Sequence, residues 1–152
     1  CKPPVLCVVQ VNPRNRAEKD TLTNLQTTRE CVVNVVSHVL VDAMNTSCGD
    51  FPPEVDEFEK AGLKKSLSKA VAAPGVEEAL VRFECNLREV KLVGEGPMGG
   101  SMMLLDVLGV EVSEAAMREG RIANDLLDAV GKLTGDGYCT TRSNFDLARP
   151  KV

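Results

Sequence analysis

The 152-residue chain has no tryptophan, one tyrosine and four phenylalanines. That scarcity excludes the aromatic platforms on which single-stranded nucleic acids stack. A net charge of −4 argues further against nucleic acid or an anionic membrane as a partner. There is one histidine, His38. The six cysteines (Cys1, Cys7, Cys31, Cys48, Cys85 and Cys139) are scattered, and none forms C-x-x-C. A zinc site needs clustered ligands, so no metal centre is expected. No apolar run approaches the ~20 residues of a membrane helix, and no secretory leader pattern is visible. Reduced thiols and a cytoplasmic location are therefore expected, with Cys7, Cys31 and Cys85 reading as small core residues.

What remains is a chain 43% hydrophobic, enough for the core of one domain built from Val, Leu, Ala and Met. Val5 to Val11 is apolar at nearly every position and reads as a central strand. Asn12-Pro13 ends it. A polar loop with Arg14, Asn15, Arg16 and Lys19 follows, and a helix is expected from Asp20 or Thr21, with Leu22 and Leu25 on one face. Thr27-Thr28-Arg29 closes that helix without a glycine. Glu30 to Val36 returns to a strand, in which Asn34 is the polar exception. Its amide either bonds neighbouring backbone or reaches into a site.

The stretch from Asn12 to Val36 organises the rest. A basic, Asn-rich loop feeding a helix start offers backbone N–H groups and the positive end of the helix dipole to a phosphate. Lys19 adds a charge and Thr21 a hydroxyl. Asp20 reads as a helix cap, since a carboxylate repels phosphate. The same spacing also fits an ordinary capped helix with solvated basic neighbours.

Ser37 is a candidate N-cap for a helix over 38–45. A second short helix is expected over 54–61, ended by Gly62. Residues 64–78 read as a connector. From Val81 the chain alternates: Val81, Phe83, Cys85 and Leu87 face one way, and Arg82, Glu84, Asn86 and Arg88 the other. A phase flip at Arg88-Glu89 predicts a β-bulge. The glycine-rich run 94–100 joins two strands and lacks the strand-to-helix setting and lysine of a P-loop. Gly109 permits a bend in the next long strand, 101–112, and long bent hairpins predict a small barrel. Helical turns are expected at 113–118 and 125–130, and then a last strand from Tyr138.

In order along the chain stand Lys19-Asp20-Thr21-Leu22 with Asn24, Cys31-Val-Val-Asn34, Met44-Asn45, and Phe51-Pro-Pro-Glu-Val-Asp-Glu-Phe-Glu-Lys-Ala-Gly-Leu63. Glu84-Cys85, Gly137-Tyr138 and Phe145-Asp-Leu-Ala-Arg149-Pro150 complete the set. This series resembles the flavin reductase-like family, in particular the branch containing flavoredoxins. The resemblance implies a mainly β fold with short helices, the FMN-binding split barrel. It implies non-covalent FMN between two subunits of a homodimer, hydride supplied by NADH or NADPH, and a small-molecule electron acceptor. On these grounds the expected cofactor-binding residues are Asn12, Arg14, Asn15, Arg16, Lys19, Asp20 and Thr21 around the phosphate, with Asn34, Asn45 and Tyr138 elsewhere on the flavin. The family pattern also places strands before the position of Cys1, so the sequence is expected to lack an N-terminal portion. Gly-Asp-Gly137-Tyr138 departs from the family's Gly-Gly-Tyr. Two further functions compete: an electron carrier that makes no direct use of pyridine nucleotide, and a non-enzymatic split-barrel module that has lost its flavin.

Overall fold

The computed structural model describes residues 2–14 and 19–150. Strand β1 covers Val5–Val11, helix α1 Asp20–Thr28, and β2 Glu30–Asn34. A 3₁₀ turn at His38–Leu40 runs into α2, Val41–Ser47, and α3 covers Glu57–Ala61. A small hairpin of β3 (Lys65–Ser66) and β4 (Gly75–Val76) precedes the long strands β5, Val81–Gly94, and β6, Gly100–Val112. The remainder is short: β7 Met117–Arg118, β8 Arg121–Ile122, α4 Asn124–Leu127, β9 Val130–Lys132 and β10 Tyr138–Thr140.

The main sheet is antiparallel throughout, in the order β1-β6-β5-β2. Three irregularities break the β5–β6 ladder: between Glu84 and Cys85, between Leu87 and Glu89, and between Leu92 and Gly94. The second is the expected bulge, with Arg88 as the extra residue. At the first, Leu108 of β6 is the residue without a partner. Each such insertion bends and twists its strand. Gly99 and Gly100 serve close backbone approach at the hairpin: a Cβ on Gly99 would lie 2.3 Å from the Gly94 carbonyl oxygen, and one on Gly100 2.7 Å from that of Gln10.

α1 lies against this sheet. Its Leu22 and Leu25 join Cys85, Leu87, Met103 and Leu105 in the core, with Leu6, Val8, Cys31, Val33 and Phe83 packed around them. Burying each large apolar side chain contributes about 1.5–3 kcal/mol. The helix ends where Arg29 takes the left-handed conformation (φ 65°), its N–H donating to the Leu25 carbonyl. Arg29 also donates through Nη2 to the Leu87 carbonyl at 2.6 Å, which anchors a conformation that usually favours glycine.

Several expectations need correction. β1 is an edge strand, not a central one: among the described residues it pairs only with β6. It is apolar on both faces because Val9 and Val11 stand 62% and 50% exposed on the side away from the core, and Cys7 is exposed with them. α3 starts at Glu57, three residues later than expected, because Asp56 is its N-cap and accepts the Phe58 N–H (3.0 Å). Gly62 ends it with φ 67°, as expected. Ser37 makes no side-chain cap, and its buried Oγ has no partner. Val130 belongs to β9 rather than to a helix, since its N–H is taken by the Val36 carbonyl.

The connector 64–78 is fastened rather than loose. Glu84 faces away from the core, as the alternation predicts, yet is only 4% exposed. Its carboxylate accepts the N–H groups of Lys69 (3.0 Å) and Ala70. Gly109, opposite it in β6, leaves room for the side chain. Glu30 accepts the Ala72 N–H at 2.6 Å, and Asn34 Oδ1 accepts that of Val76 at 2.9 Å.

These contacts predict two stability losses. The Lys69 and Ala70 N–H groups hold the Glu84 carboxyl below the ordinary glutamate value of 4.5. A lowered folded-state pKa gives a contribution complete above the unfolded value and lost as pH falls through the folded one. Denaturation midpoints should therefore drop below about pH 4.5, and Glu84→Gln should flatten that drop. Glu84→Ala, which removes the acceptor of two backbone N–H groups, should cost about 1–3 kcal/mol in urea unfolding at pH 7. Asn34→Ala orphans the Val76 N–H and should cost about 1–3 kcal/mol in the same measurement.

Candidate functional site

The first turn of α1 opens onto a groove of about 610 Å³, within the ~300–1,000 Å³ of small-molecule sites. Pro13, Lys19, Asp20, Thr21 and Asn24 form one wall. Ser47 to Asp50, with Pro53 and Glu57, form the other. Lys19 is the N-cap residue, in extended conformation (φ −93°, ψ 152°), and carries no side chain that could cap the helix amides. Its backbone carbonyl accepts from the N–H of Leu22 (3.1 Å) and of Thr23 (3.4 Å). The exposed ammonium of Lys19 and hydroxyl of Thr21 therefore stand beside a helix start that the N-cap side chain does not cap. The opposite wall follows the end of α2, where the N–H of Cys48 donates to the Asn45 carbonyl and that of Gly49 to the Thr46 carbonyl. Gly49 sits close under Phe51: a Cβ there would meet the ring at 2.7 Å.

The groove is not isolated. Thr21 and Asn24 also line an apolar trough of about 480 Å³ between α1 and the sheet, whose lining includes Leu25, Cys31, Val33 and Met103. Ser47 also lines a smaller cavity of about 160 Å³ that contains Asn34 and Met44. Polar donors at one end and an apolar wall at the other suit an amphipathic ligand with an anionic tail and a flat apolar body. Against the anion stand the carboxyl groups of Asp20, Asp50 and Glu57 on the groove walls.

The expected site residues divide as follows. Lys19, Asp20 and Thr21 come together at the groove. Arg14 is exposed, just beyond β1. Asn15 and Arg16 lie outside the described residues. Asn12 is buried and shapes the β5–β6 hairpin: its Nδ2 donates to the Gly96 carbonyl (3.1 Å) and its N–H to that of Gly99 (2.7 Å). Its Oδ1 has no partner. Asn34 spends its amide on backbone, donating to the Val32 carbonyl and accepting from Val76. Asn45 is exposed on α2. Tyr138 is on the separate β9–β10 ribbon, 39% exposed, with the Lys132 ammonium 4.1 Å from its ring centroid. Sequence reasoning missed the wall from Ser47 to Asp50. That segment reads as a turn, and only its place across the groove from the start of α1 gives it a role.

Residues 1–134 match the family model described as "Flavin reductase like domain". Over 153 residues the chain is 31% identical to an uncharacterized protein of Halalkalibacterium halodurans, covering 99% of this chain and 73% of that one. Over 86 residues it is 48% identical to an uncharacterized protein of Aquifex aeolicus, covering 57% of this chain and 44% of that one. Among solved structures, nitrilotriacetate monooxygenase component B from Bacillus cereus superimposes with a TM-score of 0.86 at 28% identity, covering 95% of this chain and 72% of that one. Flavoredoxin of Desulfovibrio vulgaris (Miyazaki F) has a TM-score of 0.77 at 20% identity, with 97% and 74% covered; at that identity it speaks for the fold. Bulged antiparallel strands, short helices and these matches agree: the chain belongs to the flavin reductase-like domain family and has its mainly β, split-barrel fold.

Proposed function

We propose that this chain is an FMN-binding oxidoreductase domain of the flavin reductase or flavoredoxin type, reduced by NADH or NADPH. Family membership supports a flavin-related oxidoreductase. The observation that carries the finer reading is the groove at the start of α1, continuous through Thr21 and Asn24 with an apolar trough. Bound flavin supplies hydride acceptance and onward electron transfer. The chain supplies binding and orientation. Lys19 neutralises the phosphate, Thr21 donates a hydroxyl hydrogen bond, and the first-turn amides of α1 add the positive end of the dipole. Arg14, Asn15 and Arg16 belong to the same basic loop. Asp20 favours the helix start and holds no phosphate. Asn12 keeps the neighbouring hairpin in place. Asn45 and Tyr138 are assigned to the remainder of the flavin, while Asn34, its amide held by Val32 and Val76, keeps β2 and the 64–78 segment together.

A homodimer is part of this reading. Val9, Val11, Leu92, Val93, Leu108 and Val110 are each at least half exposed on β1, β5 and β6, and apolar exposure of this extent marks interaction surfaces. A second reading, a split-barrel interaction module without flavin, is favoured by one observation: Asp50 and Glu57 bring carboxylates into the groove that would hold the phosphate.

An absorption spectrum from 300 to 600 nm, taken after gel filtration with added FMN, separates the two. Flavin bands that stay with the protein, and bleach on addition of NADH or NADPH, are the expected result. A colourless protein that elutes with its fold intact favours the interaction module. Retained flavin that neither nucleotide bleaches points to an electron carrier. In the binding protein, Lys19→Ala with Thr21→Ala removes charge-assisted bonds of about 1.5–3 kcal/mol, which lowers FMN affinity about ten- to a hundredfold. Circular dichroism should be unchanged. Equal affinity in wild type and double variant would remove the phosphate assignment.

A further inference from the structure

Cys31 of β2 and Cys85 of β5 are directly opposite each other in the antiparallel ladder. Paired residues in such a ladder project to the same face, here the core face. The neighbouring backbone bonds, Leu87 N–H to the Arg29 carbonyl and Val35 N–H to the Val81 carbonyl, fix the register on both sides. Counting two residues at a time between them places Cys31 and Cys85 at a hydrogen-bonded pair, where Cα atoms stand about 5.5 Å apart. That separation falls inside the ~4.4–6.8 Å range that a disulfide spans, while the Cβ atoms of such a pair stand about 5.5 Å apart against the ~3.5–4.5 Å of a disulfide, so closing the bond draws the two strands together at this point. No other two of the described cysteines are paired across a ladder: Cys7 faces Leu104, Cys139 faces Gly131, and Cys48 lies outside the strands.

The two thiols differ in access. Cys85 is fully buried and donates to the Phe83 carbonyl at 3.5 Å. Cys31 is half-buried and lines the open apolar trough. We propose that Cys31 and Cys85 form a redox-active cross-strand dithiol that a low-molecular-weight disulfide entering the trough converts to an intramolecular disulfide. This goes beyond the flavin reading and uses the same trough, so it concerns the chain while that trough is free of flavin.

The chemistry proceeds in two exchanges. Cys31, as thiolate, attacks one sulfur of the small disulfide; the S–S bond breaks, and one small thiol leaves with the proton that Cys31 gave up. Cys85, turning from the Phe83 carbonyl, then attacks the Cys31 sulfur and expels the second small thiol with its own proton. Two protein thiols are oxidised, and one small disulfide is reduced to two thiols. Burial pushes both protein thiols up, Cys85 to about 11, so both exchanges are slow at neutral pH and quicken as pH rises. Adjacency drives the second step, because the resolving sulfur is held beside the mixed disulfide rather than found by diffusion.

The test uses the folded chain, reduced, desalted and treated with oxidised glutathione. Peptide mapping without reductant should recover one cross-link, Cys31 to Cys85. In a chain with Cys1, Cys7, Cys48 and Cys139 replaced by serine, the intact mass should fall by two hydrogen atoms. Adding Cys31→Ser to that chain should abolish the change. A persistent mixed disulfide on Cys31, or two thiols that still alkylate fully after unfolding, would overturn the proposal. So would a cross-link involving any other cysteine. Should the multiple variant fail to fold, the peptide map of the unaltered chain reads the same question.

Discussion

The buried Glu84 carboxylate is the constraint on which most of the architecture depends. A carboxylate 4% exposed is costly unless its oxygens are satisfied. Here they are satisfied by the backbone of the 64–78 segment, so that segment cannot move away without stranding a charge. Two further side chains on the same strands act in parallel: Glu30 on Ala72, and Asn34 on Val76. Arg82 completes the arrangement, donating to the Val76 carbonyl at 2.9 Å and pairing with Glu111 at 2.8 Å. The stretch buries its own Val71 and is held further because four polar side chains of β2 and β5 are aimed at its backbone.

The same pair of strands positions the candidate site. β2 begins one residue after Arg29, whose left-handed turn and bond to the Leu87 carbonyl fix where α1 ends relative to β5. Leu22 and Leu25 fix its rotation by packing into the sheet. With end and rotation set, a nine-residue helix has no freedom in where its start points. Lys19 and Thr21 arrive at the groove as a consequence of packing, rather than through bonds of their own.

Which of this could be read from sequence follows from how local each signal is. β1, α1, β2 and the β5–β6 hairpin were legible because period-two and period-3.6 patterns depend on neighbours a few residues away. The bulge at Arg88 was legible because it flips the phase. The irregularity at Leu108 was not, because it leaves the alternation of β5 intact and shows only in the register of its partner. Glu84 reads as a solvated residue of an alternating strand; what covers it comes from Lys69 and Ala70, a connector with no pattern. Likewise Lys19 to Thr21 could be singled out, whereas Ser47 to Asp50 could not, since the second wall exists only through its place across the groove from the start of α1. The edge position of β1 was misread for a related reason. Apolar residues on both faces signal two covered faces, and a sequence does not say whether the cover is another part of the same chain.

β1 then carries the last step. Its core face turns polar at the end nearest the groove, with Gln10 and Asn12 both 7% exposed, while its outer face stays apolar through Val9 and Val11. Gln10 Nε2 and Asn12 Oδ1 are buried without partners, and an unsatisfied buried amide costs about 1–3 kcal/mol. A strand selected only for packing would place valine at those two positions and polar residues outside. The observed inversion trades stability for two things: a polar floor beside Pro13 and the helix start, and an apolar outer surface on an edge strand. Edge strands ordinarily carry charge to prevent association. An edge that is apolar outside and polar inside, next to the groove, fits a strand that is covered by another surface and takes part in a site at one end.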